Sequence, residues 1–175
     1  MKISNLLEFY NELIIKQDYF ECHEIMEEAW KSKPARTKED QEVFLILMAV
    51  GEYHYRRQNT AGAKKSYRKA LKIYDENPFS LEKAGMDSSL IDVMGERIKN
   101  MSSVKFKPLH FPLTDEMLHS LHEAYLPHLP YDDFLIWCRN QKVSDEFTVN
   151  KHLLRDREHV VMEREAALKK RKHQN

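Results

Sequence analysis

The feature that most constrains the fold is an unbroken run of eight apolar residues, Val43 to Val50, in a segment with helical spacing. A helix that is apolar on every side has to be surrounded by other elements, because an exposed face would place hydrocarbon in water. Eight residues are too few to cross a bilayer, which takes about 20. The run therefore predicts a central helix buried among other helices, and no membrane span.

Periodicity and capping signals on either side of the run predict four further helices. The clearest signal is Asp18 with Glu21 three residues later. The Asp18 carboxylate can accept a hydrogen bond from a free backbone amide of the first helical turn, and the Glu21 side chain can accept one from the backbone amide of Asp18. Only 4 glycines and 6 prolines argue against a β-sandwich or barrel. We predict an all-α protein with a compact bundle of about five helices, over about residues 4–16, 19–32 and 60–76, with one starting near 38 and one near 88.

The chain changes character after residue 101. Residues 102–113 contain Pro108 and Pro112 and alternate apolar with basic side chains, which predicts an extended segment or an edge strand. We place a domain boundary there, with the helical bundle over residues 1–101. Residues 102–175 are predicted to be an extended crossover and a mostly helical C-terminal extension, with helices at about 114–125, 132–140 and 150–172.

One spacing pattern indicates how two of these helices pack. The spacing of four residues matches the pattern that a tetratricopeptide repeat has where its two helices cross. The pattern requires two small residues, an aromatic residue and an alanine, which are here Gly51, Ala63, Tyr67 and Ala70. The pattern occurs once, whereas an array needs at least three units. It predicts a tetratricopeptide-like helix pair. It also favours an alternative function class, a non-catalytic interaction or scaffold module.

Charge and cysteine content narrow the class of protein. Lys plus Arg and Asp plus Glu both total 28, so the formal net charge is zero, which does not favour a nucleic-acid partner. Two cysteines and no N-terminal apolar segment of the signal-peptide kind predict a cytoplasmic protein without a structural disulfide. We expect no membrane partner. An unknown small molecule or protein partner and the oligomeric state stay open.

The second predicted helix directs ionisable side chains toward the interior. At about 100° per residue, His23 falls within the apolar arc and Glu27 at its edge, while Glu24 points away. The same projection of the central helix directs His54 to a packed surface. Burial of such groups without partners costs several kcal/mol. They must therefore be hydrogen-bonded together, bound to a ligand or placed at a cleft.

Three interpretations of this arrangement stay open. In the structural one, His23 and Glu27 pair with each other and with a tyrosine hydroxyl such as Tyr10 or Tyr53, and the motif is a core pair that locks two helices together. In the second, Glu27 is a catalytic base with His23 as its partner in metal-free acid–base chemistry.

The third interpretation is a divalent-metal site. Zinc and manganese accept imidazole nitrogen and carboxylate oxygen, so His23 and Glu27 supply two ligands from one helical face and His54 the third. An open coordination position would then suit a hydrolytic centre. The side chains expected to line this pocket are Phe20, Trp30 and Tyr53, with Trp30 closing it.

These residues resemble a known family. The second predicted helix contains the motif H-x-x-x-E-x-x-W at His23, Glu27 and Trp30. A second block is similar as well, with a histidine, a capping asparagine and a Gly-Ala pair at His54, Asn59 and Gly62-Ala63. The resemblance is to the prokaryotic domain-of-unknown-function family 309 and covers about residues 5–75. It implies a compact all-helical domain and metal binding at the motif, but no established activity.

Other candidate ligands are interpreted as structural. A second histidine group, His119, His122 and His128, has no acidic or cysteine ligand in an obvious position beside it, so we expect solvated or stacked rings. Adjacent helical residues point about 100° apart, so Cys22 does not face His23. Cys22 is expected to be a small buried hydrophobe.

Overall fold

The computed structural model describes residues 1–143 and 145–154. Within these residues the protein has eight α-helices and no strand, which confirms the all-α prediction. The helices are α1 (Ile3–Tyr10), α2 (Tyr19–Lys31), α3 (Gln41–Arg56), α4 (Thr60–Glu76), α5 (Leu90–Asn100), α6 (Asp115–Tyr125), α7 (Tyr131–Asn140) and α8 (Glu146–Leu154). A 3₁₀ turn, Glu82–Ala84, precedes α5.

The first predicted helix, residues 4–16, changes geometry in the middle. α1 ends at Tyr10 and a π-helix, Asn11–Lys16, continues the chain. Gln17 then adopts a left-handed conformation with φ 52°, which reverses the chain into α2. π-Helices are rare and occur mostly as single turns inside α-helices.

Capping explains where α2 and α3 begin. Asp18 Oδ1 accepts from the amide of Glu21 at 3.0 Å, so the predicted N-cap is present. Glu21 does not reach back, because the Asp18 amide donates to the carbonyl of Glu12 instead. α3 starts at Gln41, later than predicted, because the hydroxyl and amide of Thr37 both donate to Asp40, which then stands at the N-cap.

The central helix is α3, as predicted from the apolar run. It packs between α2 and α4, and four residues of the run are completely buried, namely Phe44, Leu45, Met48 and Ala49. The other four are half-buried, so α3 is covered on most of its surface. The crossing with α4 is close at Gly51, where a Cβ atom would lie 2.5 Å from the ring of Tyr67. The small residues predicted for the helix crossing therefore lie at it.

The chain after residue 101 packs on the bundle. Residues 102–104 form a turn and bend and residues 105–112 have no regular secondary structure, so the predicted edge strand is reduced within the described part of the chain to one antiparallel bridge between Met86 and Leu113. The buried cluster continues through side chains from this part, including Phe111, Leu121 and Phe134. The boundary at residue 101 stays a prediction. Of the helix predicted over residues 150–172, residues 155–172 lie outside the described residues.

None of the helices within residues 1–143 and 145–154 has the length and apolarity needed to cross a membrane.

Candidate functional site

Helix α2 carries a group of three ligand-capable side chains on its half-buried side. One ligand atom from each of His23, Glu24 and Glu27 lies within 4.8 Å of the other two. The Nδ1 atom of His23 is 3.1 Å from Glu24 Oε1. The structure thus brings together the predicted pair, His23 and Glu27, and adds Glu24. The projection had turned Glu24 away, but its flexible side chain bends back along the helix to the imidazole.

The group lies at the rim of the core and not inside it. The buried face of α2 is formed by Tyr19, Cys22 and Met26, which are at most 1% exposed. The side chains of His23 and Glu27 are 29% and 34% exposed. The predicted inward direction is therefore only partly realised, since larger apolar side chains occupy the centre of the helix face. Cys22 is the buried hydrophobe expected, and burial raises the pKa of its thiol.

Aromatic rings border the group on one side. The Phe20 ring lies 6.0 Å from the His23 ring and 5.9 Å from the Tyr53 ring, so both predicted pocket residues adjoin the site. The guanidinium of Arg57 lies 5.4 Å from the centre of the Tyr53 ring. Phe20 thus connects the His23 imidazole to Tyr53 of α3.

Trp30 has a different environment from these rings. Its Nε1 donates to the carbonyl of Thr37 at 2.8 Å, and the guanidinium of Arg36 lies 5.5 Å from its ring centre. The motif tryptophan thus fastens the connection between α2 and α3. Its predicted role in closing the pocket stays a prediction.

His54 lies outside the group of three. It belongs to the last turn of α3, and its Nδ1 accepts from the side-chain amide of Asn59 at 3.2 Å. Asn59 in turn caps α4 by accepting from the amide of Gly62 at 3.0 Å. Burial, with a smaller contribution from Arg57, lowers the pKa of His54 below its usual 6.5. His54 as a metal ligand stays a prediction, and a neutral imidazole is the form in which it could bind one.

One of the two tyrosines expected to satisfy the pair in the structural interpretation, Tyr10, is used elsewhere. The hydroxyl of Tyr10 donates to the carbonyl of Ala84 at 2.6 Å, and burial strongly raises the pKa of Tyr10. Tyr10 therefore joins α1 to the 3₁₀ turn and does not serve His23 or Glu27.

The C-terminal helix α8 contacts the start of α2, beside the group. Lys151 Nζ lies 2.6 Å from Asp18 Oδ2 and 2.6 Å from Glu21 Oε2. Arg56 donates to the carbonyl of Thr148 at 3.0 Å. A shallow cleft at this junction is lined by Phe20, Glu21, Glu24, Phe147 and Lys151. Sequence reasoning missed these contacts, because Lys151 is 133 residues from Asp18 and no local pattern relates them.

A second polar cluster, also missed, lies in the centre of the bundle. Glu52 is 0% exposed and accepts from Arg97 through both oxygens, at 2.8 and 2.7 Å. The hydroxyl of Tyr67 donates to Glu52 Oε1 at 2.8 Å, and burial raises its pKa. Arg97 also donates to the carbonyl of Lys107 at 2.7 Å. We call these three side chains the buried network; it joins α3, α4 and α5.

The second histidine group is engaged in packing, as expected. The His119 ring stacks on Tyr131 with 3.9 Å between centroids. His122 donates from Nε2 to the carbonyl of Leu129 at 2.6 Å, and its ring lies 5.2 Å from Phe134. These rings hold α6 against α7.

Comparisons with known proteins agree with the motif. The family described as "Domain of unknown function (DUF309)" matches residues 7–66, which extend from α1 into α4. The "Uncharacterized protein YpuF" of Bacillus subtilis (strain 168) is 35% identical over 172 residues, 97% of this chain and 94% of that protein. The similarity thus extends through the part after residue 101. No solved structure matches. On the family match and this relative, the chain belongs to the DUF309 family.

Proposed function

We propose that this protein binds a divalent cation, zinc or manganese, through His23, Glu24 and Glu27 of α2. The observation that carries the proposal is their grouping within 4.8 Å of one another. Zinc lies about 2.0–2.2 Å from nitrogen and oxygen ligands, so two ligand atoms of one ion are at most about 4.4 Å apart. Rotation of the two Glu side chains is enough to close the difference.

The donor set selects the class of metal. One imidazole nitrogen with two carboxylate oxygens suits zinc and manganese, whereas calcium and magnesium prefer oxygen ligands alone. Two carboxylates also neutralise the charge of the cation. The expected preference is therefore for zinc or manganese over magnesium.

The contacts that a cation would replace are weak. Lys31 lies 3.2 Å from Glu27 and its side chain is 57% exposed, and the contact of His23 with Glu24 joins side chains that are 29% and 31% exposed. Exposed ion pairs of this kind contribute about 0–1 kcal/mol. The loss of these ion pairs on binding of the cation therefore costs little free energy.

Three protein ligands would leave a coordination position toward solvent. A metal ion with an open position lowers the pKa of bound water to about 7, which is the basis of hydrolytic metal centres. The apolar ring of Phe20, 6.0 Å from the His23 ring, supports this arrangement because it adjoins the ligand group. Hydrolysis, with Glu27 as ligand or catalytic base, is the reaction class proposed for the site.

Metal analysis of protein purified without chelator or an affinity histidine tag tests the proposal. We expect one equivalent of metal per chain. Zinc or manganese at 100 times the dissociation constant should stabilise the chelator-treated protein by about 2.7 kcal/mol, seen as a higher Tm. His23→Ala and Glu27→Gln should each abolish this increase.

Two control variants keep the test specific. Glu28→Gln alters an exposed carboxylate of the same helix, and His119→Ala removes a histidine that stacks on Tyr131; both should retain the metal. His54→Ala tests the ligand predicted from sequence, since retention of the metal would remove His54 from the set. No stoichiometric metal, or equal Tm shifts in wild type and in a His23→Ala/Glu27→Gln double variant, would contradict the proposal.

A further inference from the structure

A separate cleft lies where the π-helix meets the C-terminal part of the chain. It has a volume of about 260 Å³ and is lined from four directions. Leu13 and Ile14 come from the π-helix, residues 108–113 from the segment before α6, Leu118 from α6, and Leu135, Cys138 and Arg139 from α7. It shares no lining residue with the group on α2. Whatever it binds is therefore independent of the proposed metal site.

The floor and walls of this cleft are apolar. Leu13, Phe111 and Leu113 are at most 8% exposed and form its inner surface, while half-buried Ile14 and Leu118 lie at the sides. Small-molecule sites are typically concave and mostly apolar, with a few polar groups that fix the orientation of the ligand. The cleft has this composition.

The polar groups at the rim are basic or neutral. Arg139 and His110 are exposed at the opening, and no Asp or Glu of residues 1–143 and 145–154 lines the cleft. Within residues 1–143 and 145–154, Arg139 forms no ion pair. An arginine at the mouth of an apolar cleft matches a carboxylate, which it binds through two parallel hydrogen bonds.

The walls are fixed in place before any ligand arrives. Gln17 follows the π-helix in a left-handed conformation, and its side chain joins that helix to the chain after α7. Its Nε2 donates to the carbonyl of Gln141 at 2.9 Å, and its Oε1 accepts from the amide of Val143 at 3.1 Å. The π-helix wall and the α7 wall are thereby held together, which reduces the ordering that binding requires.

We propose that this cleft binds a small carboxylate with one apolar chain, of the medium-chain fatty acid type. The apolar floor takes the chain, and Arg139 binds the carboxylate at the opening. Ligand sites usually enclose about 300–1,000 Å³, so a cleft of this volume suits one short chain and not a two-chain lipid. The basic rim disfavours an apolar amine, and the floor disfavours a ligand that is polar throughout.

Calorimetric titration with three probes of equal chain length tests the charge preference. Octanoate, octan-1-ol and octylamine are used below the concentrations at which they aggregate. We expect octanoate to bind at least about tenfold more tightly than octanol, since a hydrogen bond to a charged group is worth a factor of about ten or more. Octylamine should bind more weakly than either. Equal affinity for octanoate and octanol, or no octanoate binding, would overturn the proposal.

Variants assign the binding to this cleft. Arg139→Gln should weaken octanoate by about tenfold and leave octanol unchanged. Lys142→Gln, which removes an exposed charge three residues away and outside the lining, is the matched control and should change neither. Leu118→Trp fills the cleft and should abolish binding of both probes, with circular dichroism confirming that the variant is folded. Unchanged octanoate affinity in Arg139→Gln and in folded Leu118→Trp would overturn the assignment.

A thiol inside the cleft gives a second readout on the unaltered chain. Cys138 lines the cleft and is half-buried, whereas Cys22 is completely buried. Burial raises the pKa of Cys138 to about 11, so alkylation by iodoacetamide is followed at alkaline pH. Saturating octanoate should slow alkylation of Cys138 severalfold, and acetate at the same concentration, which has the charge but not the apolar chain, should not. An alkylation rate that octanoate leaves unchanged would contradict occupation of the cleft.

Discussion

The buried network and the group on α2 are both built from charged and polar side chains, yet they differ in nearly every physical respect. Glu52 is 0% exposed and bonded through both oxygens to side chains of two other helices. The carboxylates of Glu24 and Glu27 are 31% and 34% exposed, and within the described part of the chain the ion pairs of His23 and Glu27 are formed with other residues of α2.

This difference in burial distinguishes a cluster that stabilises the fold from one that can bind a ligand. A buried carboxylate is tolerated only when its hydrogen bonds are satisfied, and the partners of Glu52 meet that requirement by joining three helices. At the surface, water can satisfy a carboxylate, so His23 and Glu27 are free to exchange weak local contacts for a ligand. We therefore expect the buried network to determine stability, and the group on α2 to affect stability mainly when metal is present.

The largest expected effect comes from breaking the buried network. Glu52→Gln retains the shape but leaves the Arg97 guanidinium largely buried without its counter-charge, which should lower the free energy of unfolding by about 3–5 kcal/mol. Urea denaturation measures this loss. The control is Glu96→Gln, which breaks an exposed pair with Lys99 and should change stability by less than about 0.5 kcal/mol. If Glu52→Gln does not fold, Tyr67→Phe should cost about 1–3 kcal/mol. If Glu52→Gln and Tyr67→Phe lowered the free energy of unfolding no more than Glu96→Gln does, the distinction between the buried network and the group on α2 would be wrong.

Substitution of two glycines tests the close packing of α3 against α4, which supports the buried network. Gly51→Ala places a Cβ 2.5 Å from the Tyr67 ring, so it should destabilise the protein by about 1–3 kcal/mol. Gly95→Ala adds a methyl group to α5 that meets no atom of the described residues within 4 Å, and should stabilise the protein by about 0.5–1 kcal/mol. Thermal unfolding of both variants gives the comparison. Equal effects of the two substitutions would show that the α3–α4 crossing is looser than the structure indicates.

The third expected effect is smaller and concerns the group on α2. In chelator-treated protein, His23→Ala should change the free energy of unfolding by less than about 1 kcal/mol, because the side chain is at the surface. In the presence of zinc or manganese the same substitution should remove the whole stabilisation by metal. A loss of about 1–3 kcal/mol that is independent of metal would instead support the structural interpretation of the motif.

The smallest effect is the pH dependence contributed by His54. Its pKa is lowered in the folded state, so the unfolded chain binds more protons as the pH falls through about 6.5. The stabilisation is thus present above that pH and is lost below it. In chelator, the stability of wild type should fall from about pH 7 to about pH 5.5 more steeply than that of His54→Gln. Parallel curves would mean that burial of this imidazole does not affect its protonation.

Sequence reasoning succeeded where the signal is local. The apolar run Val43–Val50 predicted the central helix, because the environment of a helix is encoded in its own periodicity. Asp18 and Asn59 predicted two helix starts, because a capping side chain bonds only two or three residues ahead. The π-helix escaped prediction since its apolar spacing over six residues also suits an α-helix.

Sequence reasoning failed where a partner is distant or a side chain is flexible. Glu52 lies between Gly51 and Tyr53 and has no sequence mark of burial; its partner Arg97 is 45 residues away. The helical projection describes the direction of Cβ atoms and not the reach of a Glu side chain, so it missed Glu24 at the site. For His54, the projection gave a packed surface but could not foresee that Asn59 would bond the ring.

The bonds from Gln17 to residues 141 and 143 have a consequence for synthesis on the ribosome. They span 124 and 126 positions, so the side-chain amide of Gln17 can form them only after the residues that follow α7 have been synthesised. At about 5–20 residues per second, translation of the roughly 40 residues that follow residue 101 takes about 2–8 s. During that interval the π-helix lacks the segment that later covers it. A chain released after residue 101 should therefore be more sensitive to protease around Gln17 than the full-length chain.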